Sequence, residues 1–180
     1  MAQEPDDDLL RRFVYGDRQA FETLFAAFHA EVHRWTLRIV RDASAADDVV
    51  VEASWRAYRG RARFDASRSF GAWMRRIATN AARDHLRTER RQGSRAGIQE
   101  ADAVSVPATV PDRGVAEAVE SALRRLPSQL QVVATLALIE ERPYTEIADA
   151  LDIPIGTVKS RVFRATRALR AELARLGVQQ

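Results

Sequence analysis

Lys159, Ser160, Phe163, Arg164 and Arg167 recur at helical steps near the end of the chain, so on a helix they share one face. Arginine and lysine can donate to guanine edges or phosphates, serine can bond either, and a phenylalanine can rest on a thymine methyl. In open water a phenylalanine at the centre of a charged face gains nothing. The set therefore suits non-covalent reading of a duplex through its major groove. A plain amphipathic hairpin with a charged outer face is the other reading of the same spacing.

The elements that must position this face follow from the apolar residues around it. Val158, Val162, Ala165, Leu169, Leu173 and Leu176 form the opposite stripe, which predicts a long helix with one buried side. Upstream, Ile147, Ala148 and Leu151 mark a shorter helix from Tyr144, and Asp152 to Gly156 supplies the turn. Two helices in this order form a helix-turn-helix whose second member lies in the groove.

A second basic stripe lies earlier in the chain. Phe70 to Arg91 predicts a long helix with Phe70, Met74, Ile77 and Ala81 toward the core and Arg76, Asn80, Arg83, Arg87 and Arg90 opposite, with Trp73 at the border. The preceding polar loop, Gly60 to Ser69, carries Phe64. Arginines that hold phosphates, rings that accept a base face and an asparagine that reads a base edge suit a strand whose bases leave the stack. Spacing alone leaves this equal to a solvated face with Trp73 in the core.

Charge is distributed in bands. The chain has 180 residues and a net charge of +3, yet residues 1–60 sum to −3, 61–95 to +7, 96–153 to −6 and 154–180 to +5. Two basic bands separated by an acidic one imply two contacts with a polyanion, each on its own element. Only one of the 28 basic residues is a lysine, so a codon bias toward arginine is the plainer source of arginine content itself. The chain has no cysteine, which excludes disulfides and thiolate metal sites. No apolar run approaches the roughly 20 residues of a membrane span, and the acidic N-terminal stretch is unlike a signal peptide. A cytoplasmic protein without membrane insertion is expected.

The first part of the chain predicts three more helices. Asp6 to Tyr15 opens with acidic residues, favourable at a helix N-terminus, and carries Leu9, Leu10, Phe13 and Val14 on one side. From Arg18, Phe21, Phe25, Phe28, Val32, Trp35 and Ile39 recur at steps of three or four. His29 and His33 are one turn apart but have no third ligand, so no metal site is expected. A third helix, Ala45 to Arg59, has Asp42 or Ser44 as cap and buries Ala46, Val49, Val50, Ala53 and Ala57. Val51, Trp55 and Tyr58 make it apolar beyond that stripe, so it is either buried on two sides or offers a patch to a partner.

Residues 92–113, rich in glycine, proline and small polar side chains, read as a flexible linker. Beyond it, Val115, Val119, Ala122, Leu123 and Leu126 form a helix ending at Pro127, and Ser128 caps the next, with Leu130, Val133, Ala134, Ala137 and Leu138. The expected fold class is all-α: two small helical domains, residues 1–91 and 114–180, joined by the linker.

The segments ALRRLP and YTEIADALDIPIGTVKSRVFRATRALR, preceded by DDVVVEASWRAYR and SFGAWMRRIATNAARDHLRTERR, resemble regions 4 and 2 of the bacterial extracytoplasmic-function (ECF) RNA polymerase sigma factors, of the sigma-70 superfamily. The resemblance covers nearly the whole chain and implies a transcription initiation factor that binds core RNA polymerase and promoter DNA. It implies that Asp47, Asp48, Val51, Glu52 and Trp55 meet the clamp helices of the beta-prime subunit, with the beta subunit also a partner. It assigns Phe64, Trp73, Arg76, Asn80, Arg83 and Arg87 to the -10 element, where an extruded base and the non-template strand are held. Thr157, Lys159, Ser160, Arg161, Phe163, Arg164 and Arg167 fall to the -35 element. An anti-sigma partner is common in such proteins. No cofactor, metal or catalytic residue is implied.

Two other functional classes compete. A stand-alone dimeric helix-turn-helix regulator would use Tyr144 to Arg170 without polymerase. A metal-dependent nuclease would need Asp47, Asp48, Glu52 and Asp84 to converge, whereas acidic residues in a first turn are more often dipole partners.

Overall fold

The computed structural model describes residues 5–66, 68–96 and 113–177. Most of the linker lies outside these residues. The described chain is helical throughout, without strands: α1 (Asp7–Val14), α2 (Arg18–Val40), α3 (Ala43–Gly60), α4 (Phe70–Ala96), α5 (Arg113–Arg125), α6 (Ser128–Ala134), α7 (Tyr144–Leu151) and α8 (Ile155–Arg175). A 3-10 turn, Arg61–Arg63, follows α3, and a π turn, Thr135–Ile139, continues α6. The fourth helix runs past residue 92, where the linker was expected to start; Gly93 there costs about 1 kcal/mol relative to alanine but does not stop a helix.

Side-chain caps fix the first three helices. Asp6 accepts from the Leu9 amide at 2.7 Å, Asp17 from the Gln19 and Ala20 amides at 2.8 and 3.1 Å, and Asp42 from the Ala45 amide at 2.7 Å. Between α1 and α2 the backbone reverses at Gly16, whose φ of +92° a side chain would strain. The expected Ser128 cap does not form. Pro127 holds the capping position of α6 without a side-chain bond.

The Asp17 carboxyl is held below the usual carboxylate range, first by the Ala20 amide and then by the Arg12 guanidinium, 2.8 Å away. A folded pKa below the unfolded one contributes stability at neutral pH that is lost as pH falls through the folded value. Asp17→Asn keeps a capping oxygen but cannot titrate. The variant should show a shallower loss of urea midpoint below the ordinary aspartate range than the parent; identical acid limbs would contradict this assignment.

The core differs from the expected stripes in an instructive way. On α2, which packs against α1, α3 and α4, Leu24 and Ala20 are fully buried while Phe21 and Phe25 are only half-buried. On α4, Ala78, Ala81 and Ala82 join Phe70, Met74 and Leu86 inside. Their small side chains let neighbours approach α4 from several sides. Residues 131–136 are buried without interruption, as befits a helix surrounded on all faces. Leu176 lies beyond α8 and is exposed, as are Val115 and Leu138.

The two helical groups do not hang apart. One buried cluster runs from Leu10, Phe13 and Phe28 through Met74 and Ala82 to Val132, Ile147, Val158 and Val162, and α4 packs directly on α6 and α7. Arg38 meets Glu140 at 3.1 Å, Arg41 meets Glu120 at 2.8 Å and Arg76 meets Asp152 at 3.1 Å. A second, smaller cluster of Ala122, Leu123, Leu126, Ala134, Ala165 and Leu169 holds α5 to α6 and α8.

Candidate nucleic-acid interface

The helix-turn-helix is built as its residues dictate. Asp152 ends α7 in the left-handed region (φ 54°), a conformation that aspartate tolerates better than most residues, and Ile153 returns an amide bond to the Ala148 carbonyl at 3.1 Å. Pro154 then starts α8, accepting from the Thr157 amide at 2.8 Å. Ile147, Ala148, Leu151, Val158 and Val162 close the angle between the helices from inside.

The opposite face of α8 stands open. Phe163 is 63% exposed, and Lys159, Ser160, Arg164 and Arg167 are exposed around it. Thr157 and Arg161 flank this face half-buried. Ser160 donates its hydroxyl to the Thr157 carbonyl at 3.0 Å, and Arg164 donates weakly to the Ser160 carbonyl at 3.3 Å. Such contacts to its own helix are easily exchanged for a ligand. Desolvation lowers the pKa of Arg161, and the neighbouring Arg164 and Arg83 lower it further; this cation lies in a field of like charge.

The second basic stripe is arranged differently. Phe64, expected as an open ring in the loop, is 6% exposed and packs on Phe70 and Trp73 at centroid distances of 5.5 and 4.9 Å. In this arrangement the ring is part of the core and has no face free for a base. The extended loop turns it inward because Phe13, Phe70 and Trp73 offer an aromatic nest at that point. Trp73 is half-buried, as are Arg76, Asn80 and Arg83, while Arg87 is exposed. Trp73 and Arg76 line a cleft of about 440 Å³ whose far wall is Asp152, Ile153 and Pro154. The helix-turn-helix turn therefore sits over the border of the α4 stripe.

On α3, Val51 and Trp55 are 55% and 56% exposed one turn apart, with exposed Asp47 and Asp48 at the head of the helix. Glu52 accepts from Arg56 at 2.7 Å, and the same guanidinium meets Asp84 of α4 at 2.8 Å. Asp47 faces His33 at 3.1 Å. Glu52 and Asp84 thus share the Arg56 guanidinium, and Asp47 is taken up by His33. Among the described residues no group of three metal-ligating side chains converges, and no helix is long and apolar enough to cross a membrane. The ion pairs between α2 or α4 and the C-terminal segments carry no local signal, because their partners lie far apart in the chain.

Residues 24–92 match the family model described as Sigma-70 region 2, and residues 116–169 match Sigma-70, region 4. The chain is 33% identical to the RNA polymerase sigma-H factor of Pseudomonas aeruginosa, over 94% of each chain. It is also 33% identical to the ECF RNA polymerase sigma factor SigM of Mycobacterium tuberculosis, over 97% of this chain and 85% of that one. Among solved structures, CnrH in complex with the cytosolic domain of CnrY aligns over 94% of this chain and 97% of its own, with a TM-score of 0.55 and 24% identity; that likeness concerns the fold.

Proposed function

The chain belongs to the ECF RNA polymerase sigma factors of the sigma-70 family, and from that premise we propose how its two basic faces divide the work of transcription initiation. The protein binds core RNA polymerase and directs it to promoters. The observation that supports the division best is the α8 face: Phe163 and Arg164 stand open on a helix whose other side, Val158 and Val162, is locked in the core. Residues 114–180 read the -35 element with Thr157, Lys159, Ser160, Arg161, Phe163, Arg164 and Arg167. Phosphate contacts set the register and base-edge contacts supply the sequence preference.

Residues 1–91 bind the polymerase and hold the -10 element, with Asp47, Asp48, Val51, Glu52 and Trp55 toward the clamp helices of beta-prime. Trp73, Arg76, Asn80, Arg83 and Arg87 hold the separated strand, and the beta subunit receives the remaining surface. Phe64 supports the Trp73 ring from below and reaches a base only if the loop re-opens. Extruding a base costs a few kcal/mol, which ring and phosphate contacts offset. The factor needs no catalytic group, cofactor or metal of its own, and it works in the cytoplasm beside the polymerase. An anti-sigma protein, a common partner of factors in this family, is its natural antagonist. A dimeric regulator would not need a region matching Sigma-70 region 2 ahead of its helix-turn-helix.

Transcription in vitro with core polymerase and promoter fragments tests the proposal directly. Arg164→Ala should weaken capture of -35 duplex by about 1–3 kcal/mol, roughly 5- to 150-fold, with relaxed preference at the contacted base. Asn80→Ala should leave that capture intact and slow strand opening, followed by permanganate reactivity of unpaired thymines. Equal loss of both steps in both variants would contradict the division.

A further inference from the structure

Packing of the C-terminal helices against α4 creates a cleft that neither basic face forms alone. Arg87, Arg90 and Arg91 come to it from α4, and Arg161 and Arg164 from α8, with Ser128 and Gln129 along one edge. Its volume is about 560 Å³, within the range of small-ligand sites. Arg87 has the Asp84 carboxylate at 3.3 Å, but among the described residues Arg90, Arg91, Arg161 and Arg164 have no carboxylate partner. Like charges converging from two elements repel, and more strongly where water is partly excluded; the depressed Arg161 pKa is one sign of that repulsion. The shared core pays for this repulsion in the free chain, and an anion in the cleft would remove it.

We propose that this cleft is a binding site for a short, multivalent phosphate anion, which bridges the two modules and holds them together. Guanidinium groups bond phosphate oxygens in pairs, and several of them on opposite walls favour a chain of phosphates over a single one. Bridging has a functional consequence. The -35 and -10 elements are about 25 base pairs apart, or roughly 85 Å of duplex axis at 3.4 Å per step, whereas α4 itself is only about 40 Å long. With Arg161 and Arg164 facing Arg87 across one cleft, the two faces cannot reach both elements. An anion bound there would therefore oppose promoter binding. This consequence rests on the sigma-factor reading; the binding itself does not.

Calorimetric titration of the full chain with inorganic tripolyphosphate, at fixed ionic strength, tests the site. One ion per chain should bind, at least tenfold more tightly than orthophosphate. Arg90→Gln/Arg91→Gln, which lies outside the residues assigned to the -10 and -35 elements, should lower that affinity at least tenfold without lowering the melting temperature. Ser128→Asp places a carboxylate at the cleft edge, in the first turn of α6 where a negative charge is favourable, and should have the same effect on binding. Equal affinity for ATP and tripolyphosphate would assign recognition to the phosphate chain, and tighter binding of ATP would identify a nucleotide as the source; both support the site. Absence of saturable binding, several ions per chain, unchanged affinity in both variants, or binding of a hexaglutamate peptide in place of tripolyphosphate would overturn it. Bound tripolyphosphate should also weaken -35 duplex capture at least tenfold in the parent and not in Arg90→Gln/Arg91→Gln. If the chain supports no transcription with core polymerase yet binds tripolyphosphate as described, the site survives and the functional proposal fails.

Discussion

Phe13→Ala should lower the stability of the protein by about 3–5 kcal/mol, the usual cost of removing a fully enclosed aromatic ring. Phe13 is 0% exposed although it lies on the shortest of the N-terminal helices. Its ring meets Phe70 edge-on at 5.6 Å, Trp73 at 6.1 Å and Phe21 in a stacked arrangement at 6.3 Å, so one side chain ties α1 to both α2 and α4. Domains of this size have only about 5–15 kcal/mol in total, and the loss should appear as a large fall in the urea midpoint followed by circular dichroism. A change below about 1 kcal/mol would mean that α1 is an ornament rather than a wall of the core. The variant should also impair strand opening before it impairs -35 capture, because Trp73 rests on Phe13 whereas α8 is braced by Val158 and Val162.

How far the sequence could be read depended on the range of the interaction concerned. The α8 face was legible because helical period alone separates Phe163 and Arg164 from Val158 and Val162, and the separation survives in the structure. Trp55 and Val51 were legible as a surplus: α3 has more apolar residues than one stripe can hold. The inward turn of Phe64 was not legible because a ring in a polar loop gives no period to follow, and the nest that draws it inward is assembled from two other helices, α1 and α4. Leu24 carried little signal for a related reason, since three phenylalanines on α2 suggested a stripe whose first two positions are displaced by one residue from the buried Ala20 and Leu24. The packing of α4 on α6 and α7 was least visible of all. It depends on alanines, which carry little signal in a hydrophobic pattern, and on Arg76 finding the Asp152 carboxylate 76 residues further along the chain; Arg38 and Arg41, at the end of α2, find theirs 102 and 79 residues on.

Trp55→Ala is the variant expected to separate polymerase binding from every other property. The indole is 56% exposed and makes an edge-on ring contact with Tyr58 of its own helix, at 6.4 Å. Its removal should therefore change the urea midpoint little, as surface substitutions do. An exposed tryptophan beside an exposed valine and rimmed by Asp47, Asp48 and Glu52 has the form of an interface anchor: a desolvated ring at the centre with charges around it. Truncating such an anchor costs about 2–4 kcal/mol of binding, roughly 30- to 1000-fold in affinity for core polymerase. Trp55→Phe should restore most of the affinity, because a ring of similar shape can fill the same pocket. Binding of the -35 duplex by the free chain should remain unchanged in both variants, since α8 lies on other contacts. A Trp55→Ala protein that binds polymerase as tightly as the parent would move the docking surface off this face of α3. One that loses polymerase and DNA together would indicate that the indole supports the fold, which its exposure argues against.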